Sequence, residues 1–465
     1  MKRLMMTRTQ LLLIIAVLLQ ACNEDEAAAD IATNEVLVSF ETAEQTQSFV
    51  SLEWTNLYLD LEQYSTGRPN ATARGIAYIY LAAYETLQPS MDGYQSLDDE
   101  FRGLKIDNDL TSNVNYELAL SESYANVISH FLLNLDETLY SDIETLRTQM
   151  QSYLATDLSD EEVASSIRWG EHISEAVIAF SQTDENAESQ VLDPQPLSYE
   201  PPTGDGFWTY SADPERALYP YWESVRTFVA STRETTSLEP IAYSEDPSST
   251  YFEQMLEVYE VNNSARVDQD EQLWIAEFWS DDVEGLMISP PARQVSIANQ
   301  LIEQFDLSLE ESAVLMLKLG FALNDVAVST WKYKYEHMVM RPNVFIHEFI
   351  DEAFQTNLYR LIYWPNPSFP GYPSGHSAFA SAAAGVLIDT FGDQTTFTDF
   401  THEGRTEFLG EPRTWSTLSQ MAEENAFSRI PLGVHIRMDC EEGLRLGYEV
   451  ADIVNEELRL TRKVN

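Results

Sequence analysis

The stretch YPSGHSAF, residues 372–379, places a histidine at the predicted start of a helix. Several prolines exclude a helix before Ser374, and the small and apolar residues after it predict a helix to about Phe391. The N–H groups and the dipole at such a helix start favour an anion. Gly375 lets the backbone approach that anion closely, and His376 could give or take a proton beside it. A surface histidine behind a helix cap is the alternative for this stretch alone.

A second stretch, WKYKYEHMVMRP at 331–342, brings two basic side chains onto one face of a predicted helix. Lys334 and Arg341 are separated by two helical turns and therefore share that face. Trp331 lies one turn before Lys334 on about the same face, and Pro342 is predicted to end the helix. A solvated basic face is the ordinary alternative for such a pair.

The third stretch, FSRIPLGVHIRMDC at 427–440, supplies an arginine, a histidine and an aspartate. Arg429 precedes a turn that contains proline and glycine, and His435 is predicted to open a new helix. Asp439 follows one helical turn later, so its carboxylate could accept a hydrogen bond from His435 or from a nearby arginine. A core histidine with an incidental ion pair is the alternative.

Together the three stretches predict a pocket for a tetrahedral or trigonal-bipyramidal oxyanion. They combine cations, neutral donors and two histidines, namely Lys334, Arg341, Arg429, Ser374, Gly375, His376 and His435. Such clustering stands out because the chain has only 27 Lys and Arg residues against 76 Asp and Glu, with a net charge of -49. A surface this acidic repels nucleic acid and anionic lipid headgroups, so no nucleic-acid partner is expected.

Helices are predicted to position these residues. Apolar residues recur at helical spacing in 73–87, 116–135, 161–180 and between 293 and 340, without the alternation typical of strands. Two stretches, the proline-rich 182–220 and 237–250, are predicted to be loops. The predicted fold class is all-α, a large helical-bundle domain over residues 46–465, with the chemistry in its carboxy-terminal third.

The amino terminus has the pattern of an export signal. Basic residues and the apolar run 11–19 precede Cys22, and this run is too short to span a bilayer as an ordinary helix. The pattern predicts a lipoprotein signal peptide over 1–21, lipidation of Cys22, and a flexible acidic tether over 22–45. The protein would then be exported and lipid-anchored to a bacterial cell envelope, at the outer membrane or cell surface, with no other membrane contact. An ordinary secretory signal that happens to contain a cysteine is the alternative.

The three motifs resemble those of the type 2 phosphatidic acid phosphatase and vanadium haloperoxidase superfamily. The pattern Lys-x6-Arg-Pro, then Pro-Ser-Gly-His, then Ser-Arg-x5-His-x3-Asp is complete here, and the resemblance covers about residues 310–455. Trp331 before Lys334 and Phe369 before His376 stand at positions similar to those of haloperoxidases, and the chain is long for a soluble bacterial phosphatase of this superfamily. The stretch GRPNATARGIAYIYLAAYET also resembles the bacterial haloperoxidase branch, whereas GVHIRMD departs from the commoner His-Trp pair.

The resemblance implies a vanadate cofactor (V5+) and haloperoxidase activity. His435 would coordinate vanadium, with Asp439 behind it, and the vanadate oxygens would be bound by the other donors, Lys334, Arg341, Ser374, Gly375, His376 and Arg429. His376 would deprotonate hydrogen peroxide, and the cations would promote attack by a halide, iodide or bromide first, to give hypohalous acid. Trp331 and Phe369 are counted with the catalytic residues on the same resemblance. An organic acceptor for the oxidised halogen is left open.

Two other functions use the same residues. An acid phosphatase of the superfamily would use His435 as its nucleophile and His376 as its acid and base. A lipoprotein of a different class would bind phosphate or act as a scaffold without catalysis, although a scaffold has no need of both histidines.

Overall fold

The structure of the chain is a computed structural model. It describes residue 43 and residues 46–211, 215–268, 271–281, 283–360 and 365–461, which belong to one compact unit. The predicted signal peptide, Cys22 and nearly all of the predicted tether lie outside the described residues. Their assignment, like the predicted domain boundaries, stays a prediction.

The amino-terminal half is helical, as predicted from its periodicity. Its helices are α1 (Phe49–Glu62), α2 (Asn70–Leu87), α3 (Tyr116–Phe131), α4 (Glu137–Leu154), α5 (Asp160–Gln182) and α6 (Glu185–Leu192). Side-chain caps fix several of the starts. Ser159 and Glu162, for example, form a reciprocal capping box at the start of α5. Helix α2 is buried along its whole length and packs between α3 and the carboxy-terminal half.

The prediction that 182–220 is a loop is wrong at its start. Helix α6 lies inside that stretch, and the Asp184 side chain caps it by accepting a hydrogen bond from the Ala187 N–H. The first proline of the stretch, Pro194, follows α6 and therefore does not prevent this helix. The prediction wrongly extended the effect of the prolines to the residues before them. From residue 237 to the start of α7 the structure has no helix, which agrees with the second predicted loop.

The carboxy-terminal half adds further helices and one short antiparallel hairpin. These elements are α7 (Thr250–Asp268), α8 (Glu271–Phe278), α9 (Pro290–Phe305), α10 (Leu309–His337), α11 (Pro342–Phe349), α12 (Gly375–Phe391), β1 (Phe397–Asp399), β2 (Arg413–Trp415), α13 (Leu418–Phe427), α14 (Arg429–Leu432) and α15 (Arg437–Glu457). Short 3-10 turns occur at Gln88–Ser90, Asn108–Leu110, Trp222–Ser224, Ala230–Glu234 and Asn357–Arg360. The strands pair in register from Phe397 opposite Trp415 to Asp399 opposite Arg413. The predicted all-α class is confirmed.

Helix α10 is the central element, and it packs against α2, α12 and α15. By length and composition it could cross a membrane, yet 89% of its most apolar window is buried inside the protein. A helix that is apolar on all sides and covered by other helices is a core helix.

The stretch around 331–342, which was predicted to be part of one helix, contains the end of one helix and the start of another. Lys334 and Arg341 were expected on one face of a single helix that Pro342 ends. Instead α10 ends where Met338 adopts a left-handed conformation with φ 52°. Arg341 is the N-cap residue of α11, and Pro342 begins that helix at a position where its missing N–H costs nothing. The two cations therefore approach the same place from different elements.

Helices α12 and α15 pack at close range through small residues. A β-carbon added at Gly443 of α15 would lie 2.5 Å from the Ser374 carbonyl oxygen, and one at Gly447 would lie 2.0 Å from Ser381 Oγ. These glycines let the two backbones approach each other. The contact matters because Ser374 begins α12 and Asp439 lies in the first turn of α15.

We expect Gly447→Ala to destabilise the protein. In an exposed helix this change stabilises by up to about 1 kcal/mol, but here the methyl group must separate α12 from α15. Overpacking of this kind costs about 1–3 kcal/mol. Urea unfolding measures the change, with Glu441→Ala on the exposed side of α15 as the control. An unchanged or increased stability of Gly447→Ala would contradict the packing described here.

Candidate active site

A cavity of about 850 Å³, measured with its open mouth, lies where the three sequence motifs meet. Its wall includes Gly375 and His376 at the start of α12, Arg429 from α14, and His435 just before α15. Side chains from other segments complete the wall, among them Arg68, Leu218, Trp331, Phe369 and Phe379. The structure thus brings residues as far apart in the chain as Arg68 and His435 to one cavity.

Lys334 is fully buried on the last turn of α10. Its ammonium group donates to the backbone carbonyls of Pro370, Gly371 and Pro373. These carbonyls belong to the proline-rich segment that leads into α12, so the lysine holds the approach to Ser374 in place. Burial, helped by nearby Arg341, lowers the pKa of Lys334 well below its usual range.

Arg341 is buried and joins two segments of the site. Its Nε donates to the Phe369 carbonyl at 2.9 Å, and its Nη1 donates to the Val434 carbonyl at 2.9 Å. The same Nη1 lies 3.1 Å from His435 Nε2. A guanidinium group only donates, so the hydrogen-bond geometry assigns no proton to Nε2 of His435.

His435 is buried and makes its second hydrogen bond on the opposite side of the ring. Its Nδ1 donates to Asp439 Oδ2 at 2.9 Å, as the spacing predicted. This bond fixes the tautomer in which Nε2 carries the lone pair. Burial first, and then the charges of Arg341 and Lys334, lower the pKa of His435 well below its usual range.

The position of His435 differs from the prediction in one respect. It was expected to open a helix, but α15 begins at Arg437 with Ile436 as its N-cap residue. His435 precedes the helix, and Asp439 lies in its first turn. The Asp439 backbone carbonyl also accepts the Ser374 N–H at 2.8 Å, which ties the start of α12 to the start of α15. Burial raises the pKa of Asp439, against the lowering effect of Lys334 and Arg341.

Helix α12 has the boundaries that the sequence predicts. Ser374 is its N-cap residue, with a side chain that accepts the Ser377 N–H, and Gly392 ends it. His376 is therefore in the first turn, nearly buried, with Nε2 3.1 Å from the Ser280 carbonyl. A carbonyl accepts, so this contact assigns a proton to Nε2 and leaves Nδ1 as the basic nitrogen.

Sequence reasoning missed the segment that holds His376 and Arg429. The Ser280 carbonyl accepts from both side chains, and the Trp279 carbonyl also accepts from Arg429 at 3.0 Å. The next residue, Asp281, is buried and lies 3.6 Å from Arg293. Backbone carbonyls carry no sequence signature, and the acidic pair at 281–282 is one of many in this chain.

Two aromatic rings form the apolar side of the site. Trp331 and Phe369 lie with their ring centroids 5.0 Å apart. Lys334 Nζ is 5.1 Å from the Phe369 ring centroid, and Arg341 Cζ is 4.9 Å from it. The ring faces attract the two cations through cation–π interactions, and the rings keep water away from the charged groups. A β-carbon at Gly375 would lie 3.3 Å from the Trp331 ring, so the helix start is held against that ring.

Several buried cations lie together at the site. Lys334, Arg341 and Arg429 are all buried and all lie near enough to His435 to lower its pKa, and Lys334 and Arg341 also act on the buried carboxylate of Asp439. An oxyanion bound here would be attracted by these cations and would favour the protonated form of Lys334. Among the described residues, no group of three or more His, Cys, Asp or Glu side chains is arranged to hold a metal cation.

We expect a tetrahedral oxyanion to stabilise the protein. Orthophosphate or orthovanadate at one hundred times its Kd should add about 2.7 kcal/mol to the free energy of unfolding. Thermal unfolding with either anion, against sodium chloride at the same ionic strength, measures the effect. A rise in Tm no larger than that in sodium chloride would show that the buried cations do not form an anion site.

Part of the sequence and most of the fold are similar to known proteins. Residues 314–463 match the family described as VCPO second helical-bundle domain. A vanadium-dependent bromoperoxidase of Ascophyllum nodosum is 29% identical over 165 residues, which are 34% of this chain. The match spans only 26% of that curated relative's length.

Two solved structures are similar over most of the chain. A bacterial vanadium-dependent iodoperoxidase superposes with a TM-score of 0.78 at 24% identity, covering 90% of this chain and 98% of that one. The holo form of a bacterial vanadium-dependent chloroperoxidase superposes with a TM-score of 0.62 at 16% identity, covering 83% and 91%. The chain therefore has the helical fold of the vanadium-dependent haloperoxidases, and its residues 314–463 match the VCPO second helical-bundle domain.

Proposed function

We propose that the protein is a vanadate-dependent haloperoxidase, which oxidises a halide with hydrogen peroxide to hypohalous acid. The observation that carries the proposal is the buried His435, whose unprotonated Nε2 stands among three buried cations beside the start of a helix. The similar solved structures are named as vanadium-dependent iodo- and chloroperoxidases, and the matching curated relative as a bromoperoxidase, which supports the same activity.

The donors in and behind the cavity wall would fit vanadate. His435 offers one neutral nitrogen lone pair, which suits a metal centre. The oxygens would be held by the cations Lys334, Arg341 and Arg429 and by the N–H groups at the start of α12. Asp439 would keep His435 in the tautomer that can coordinate. When bound, vanadate would supply a Lewis-acid centre that activates hydrogen peroxide without a change of oxidation state.

His376 would move the proton of hydrogen peroxide. With Nε2 held by the Ser280 carbonyl, Nδ1 is the nitrogen that can take a proton from the peroxide as it enters. The buried ammonium of Lys334 and the guanidinium of Arg341 would stabilise negative charge that develops on oxygen during attack by the halide. Trp331 and Phe369 would limit the water around these groups, which strengthens their effect.

The same residues could also serve an acid phosphatase with His435 as the nucleophile. A shared fold does not decide between these two reactions, because the chemistry depends on the site. A phosphate-binding scaffold would need the cations alone. Iodide and bromide are the proposed halides, since they are oxidised more easily than chloride. An organic acceptor and the export and lipid anchoring through Cys22 are further proposals, and the latter is supported by the amino-terminal sequence alone.

We expect orthovanadate to confer peroxide-dependent oxidation of iodide or bromide on the purified, phosphate-free protein. The assay compares iodide, bromide and chloride, and it runs beside hydrolysis of p-nitrophenyl phosphate by the vanadate-free protein. Phosphate release that vanadate inhibits, without halide oxidation, would overturn the proposal in favour of a phosphatase. Binding of vanadate with neither activity would favour the scaffold.

His435→Ala is expected to abolish vanadate binding and turnover, because the other donors contact only oxygens. Lys334→Ala or Arg341→Ala should each weaken vanadate binding by about 1.5–3 kcal/mol, the range for a charged hydrogen bond. Equilibrium dialysis of vanadate measures both effects. His130→Ala, a half-buried histidine at the end of α3, is the control and should bind vanadate like the parent. Full vanadium stoichiometry in His435→Ala would contradict the assignment of the ligand.

A further inference from the structure

We propose that Arg293 is a positioning residue for His376 and Arg429. It acts through residues 278–281, the segment whose backbone carbonyls bind both side chains, and it does not itself line the cavity. The inference rests on the proposed haloperoxidase function, which gives His376 and Arg429 their roles. It also connects the site to the β1–β2 hairpin, none of whose residues lines the cavity.

The segment 278–281 presents backbone carbonyls to the site at the end of a helix. Helix α8 ends at the start of this segment, so the carbonyls that follow have no partners inside a helix. The Trp279 and Ser280 carbonyls accept from Arg429 Nη1 instead, at 3.0 Å and 3.2 Å. The Ser280 carbonyl also accepts from His376 Nε2 at 3.1 Å. The direction of these two carbonyls therefore sets where both side chains lie.

Arg293 contacts the residues on each side of Ser280. Its Cζ lies 4.6 Å from the Phe278 ring centroid and 4.9 Å from the Trp279 ring centroid, within the range of cation–π attraction. Its Nη1 lies 3.6 Å from Asp281 Oδ1. Because these contacts precede and follow Ser280 in the chain, the arginine restrains the backbone between them.

A buried carboxylate holds Arg293 in turn. Asp399 Oδ2 lies 2.9 Å from Arg293 Nη2, and both side chains are completely buried. Asp399 Oδ1 accepts from the Thr401 N–H at 2.8 Å and from Gln300 Nε2 at 3.0 Å, which fixes the carboxylate at the end of β1. Arg293 lies near the start of α9, where the helix dipole disfavours a cation, so its position depends on its acidic partners. A continuous set of contacts thus leads from the hairpin through Arg293 to the carbonyls of the site.

The shape of the guanidinium group suits it to this task. Its planar fork reaches the carboxylates of Asp281 and Asp399 while its face lies over two rings. His402 Nε2 accepts from Arg293 Nη1 at 2.5 Å, and burial, followed by the charge of Arg293, lowers the pKa of His402 well below its usual range. A lysine would keep the positive charge, but its single ammonium group cannot make all these contacts at once. Arg293→Lys should therefore loosen the segment without leaving the carboxylates unbalanced.

NMR of isotope-labelled histidine tests the inference in the protein without vanadate. At a pH at which the His376 ring is neutral, the nitrogen shifts report which ring nitrogen carries the proton, and His376→Gln identifies the signals by their loss. The parent should show the tautomer protonated at Nε2, because the Ser280 carbonyl accepts there. In Arg293→Lys and in Asp399→Asn we expect the shifts to move towards those of exchanging tautomers, because the carbonyl is no longer held in place.

Arg74→Lys is the matched control. Arg74 is a buried arginine of α2 that binds the Ser181 carbonyl and Glu188, and it does not line the cavity. Thermal unfolding shows which variants are folded, and either Arg293→Lys or Asp399→Asn alone is enough for the comparison. A purely structural role of Arg293 would lower the Tm of both lysine variants without moving the His376 signals.

Turnover provides the second measurement. In enzyme saturated with vanadate, Arg293→Lys should lower kcat about ten- to a hundredfold at an unchanged KM for the halide, the cost of misplacing a catalytic group by about 1 Å. An unchanged kcat in an active enzyme would overturn the inference, since the contacts of Arg293 would then have no effect on the reaction.

The two measurements separate the inference from the proposed function. His376 signals that change in Arg293→Lys or Asp399→Asn, but not in Arg74→Lys, would support the positioning role even if the parent protein shows no turnover. His376 signals that are the same in the parent and in both variants would overturn it, whatever the turnover. Halide oxidation by the parent decides the proposed function.

Discussion

The burial of three cations close to one histidine is the constraint on which the rest of the site depends. Lys334, Arg341 and Arg429 are each almost completely removed from water, and all three lower the pKa of His435. Desolvated like charges repel each other strongly in a protein interior. The backbone carbonyls that each cation reaches reduce this cost, and a bound oxyanion would reduce it further. Cations gathered in this way would let a chain with a net charge of -49 bind an anion.

The fold places backbone carbonyl groups within hydrogen-bond distance of each buried cation. Lys334 binds the segment before α12, Arg341 binds the segment before α15, and Arg429 binds the segment after α8. Each cation therefore fixes the backbone that carries another member of the site. The close approach of α12 and α15 at Gly443 and Gly447 keeps the two histidine-bearing segments together. The geometry of the site and the stability of the surrounding helices are consequently linked.

The sequence predicted those parts of the site that depend on local structure. The boundaries of α12 follow from Ser374 and Gly392. The predicted bond between His435 and Asp439 is present, although His435 precedes the helix and only Asp439 lies in its first turn. The break before Arg341 was missed because it rests on a left-handed Met338, which carries none of the signals of a glycine end. Contacts between distant segments leave no pattern in the sequence, which is why no role was predicted for the Ser280 carbonyl that accepts from His376 and Arg429.

X-ray absorption at the vanadium edge tests the central claim most directly, because it reports the atoms bound to the metal whether or not the enzyme turns over. For the vanadate-loaded protein we predict an oxygen shell plus one imidazole nitrogen, and we predict that His435→Ala retains no bound vanadium. An all-oxygen shell that is the same in the parent and in His435→Ala would contradict the account. In that case the buried cations would hold the anion without the histidine, and His435 would have to be assigned another role.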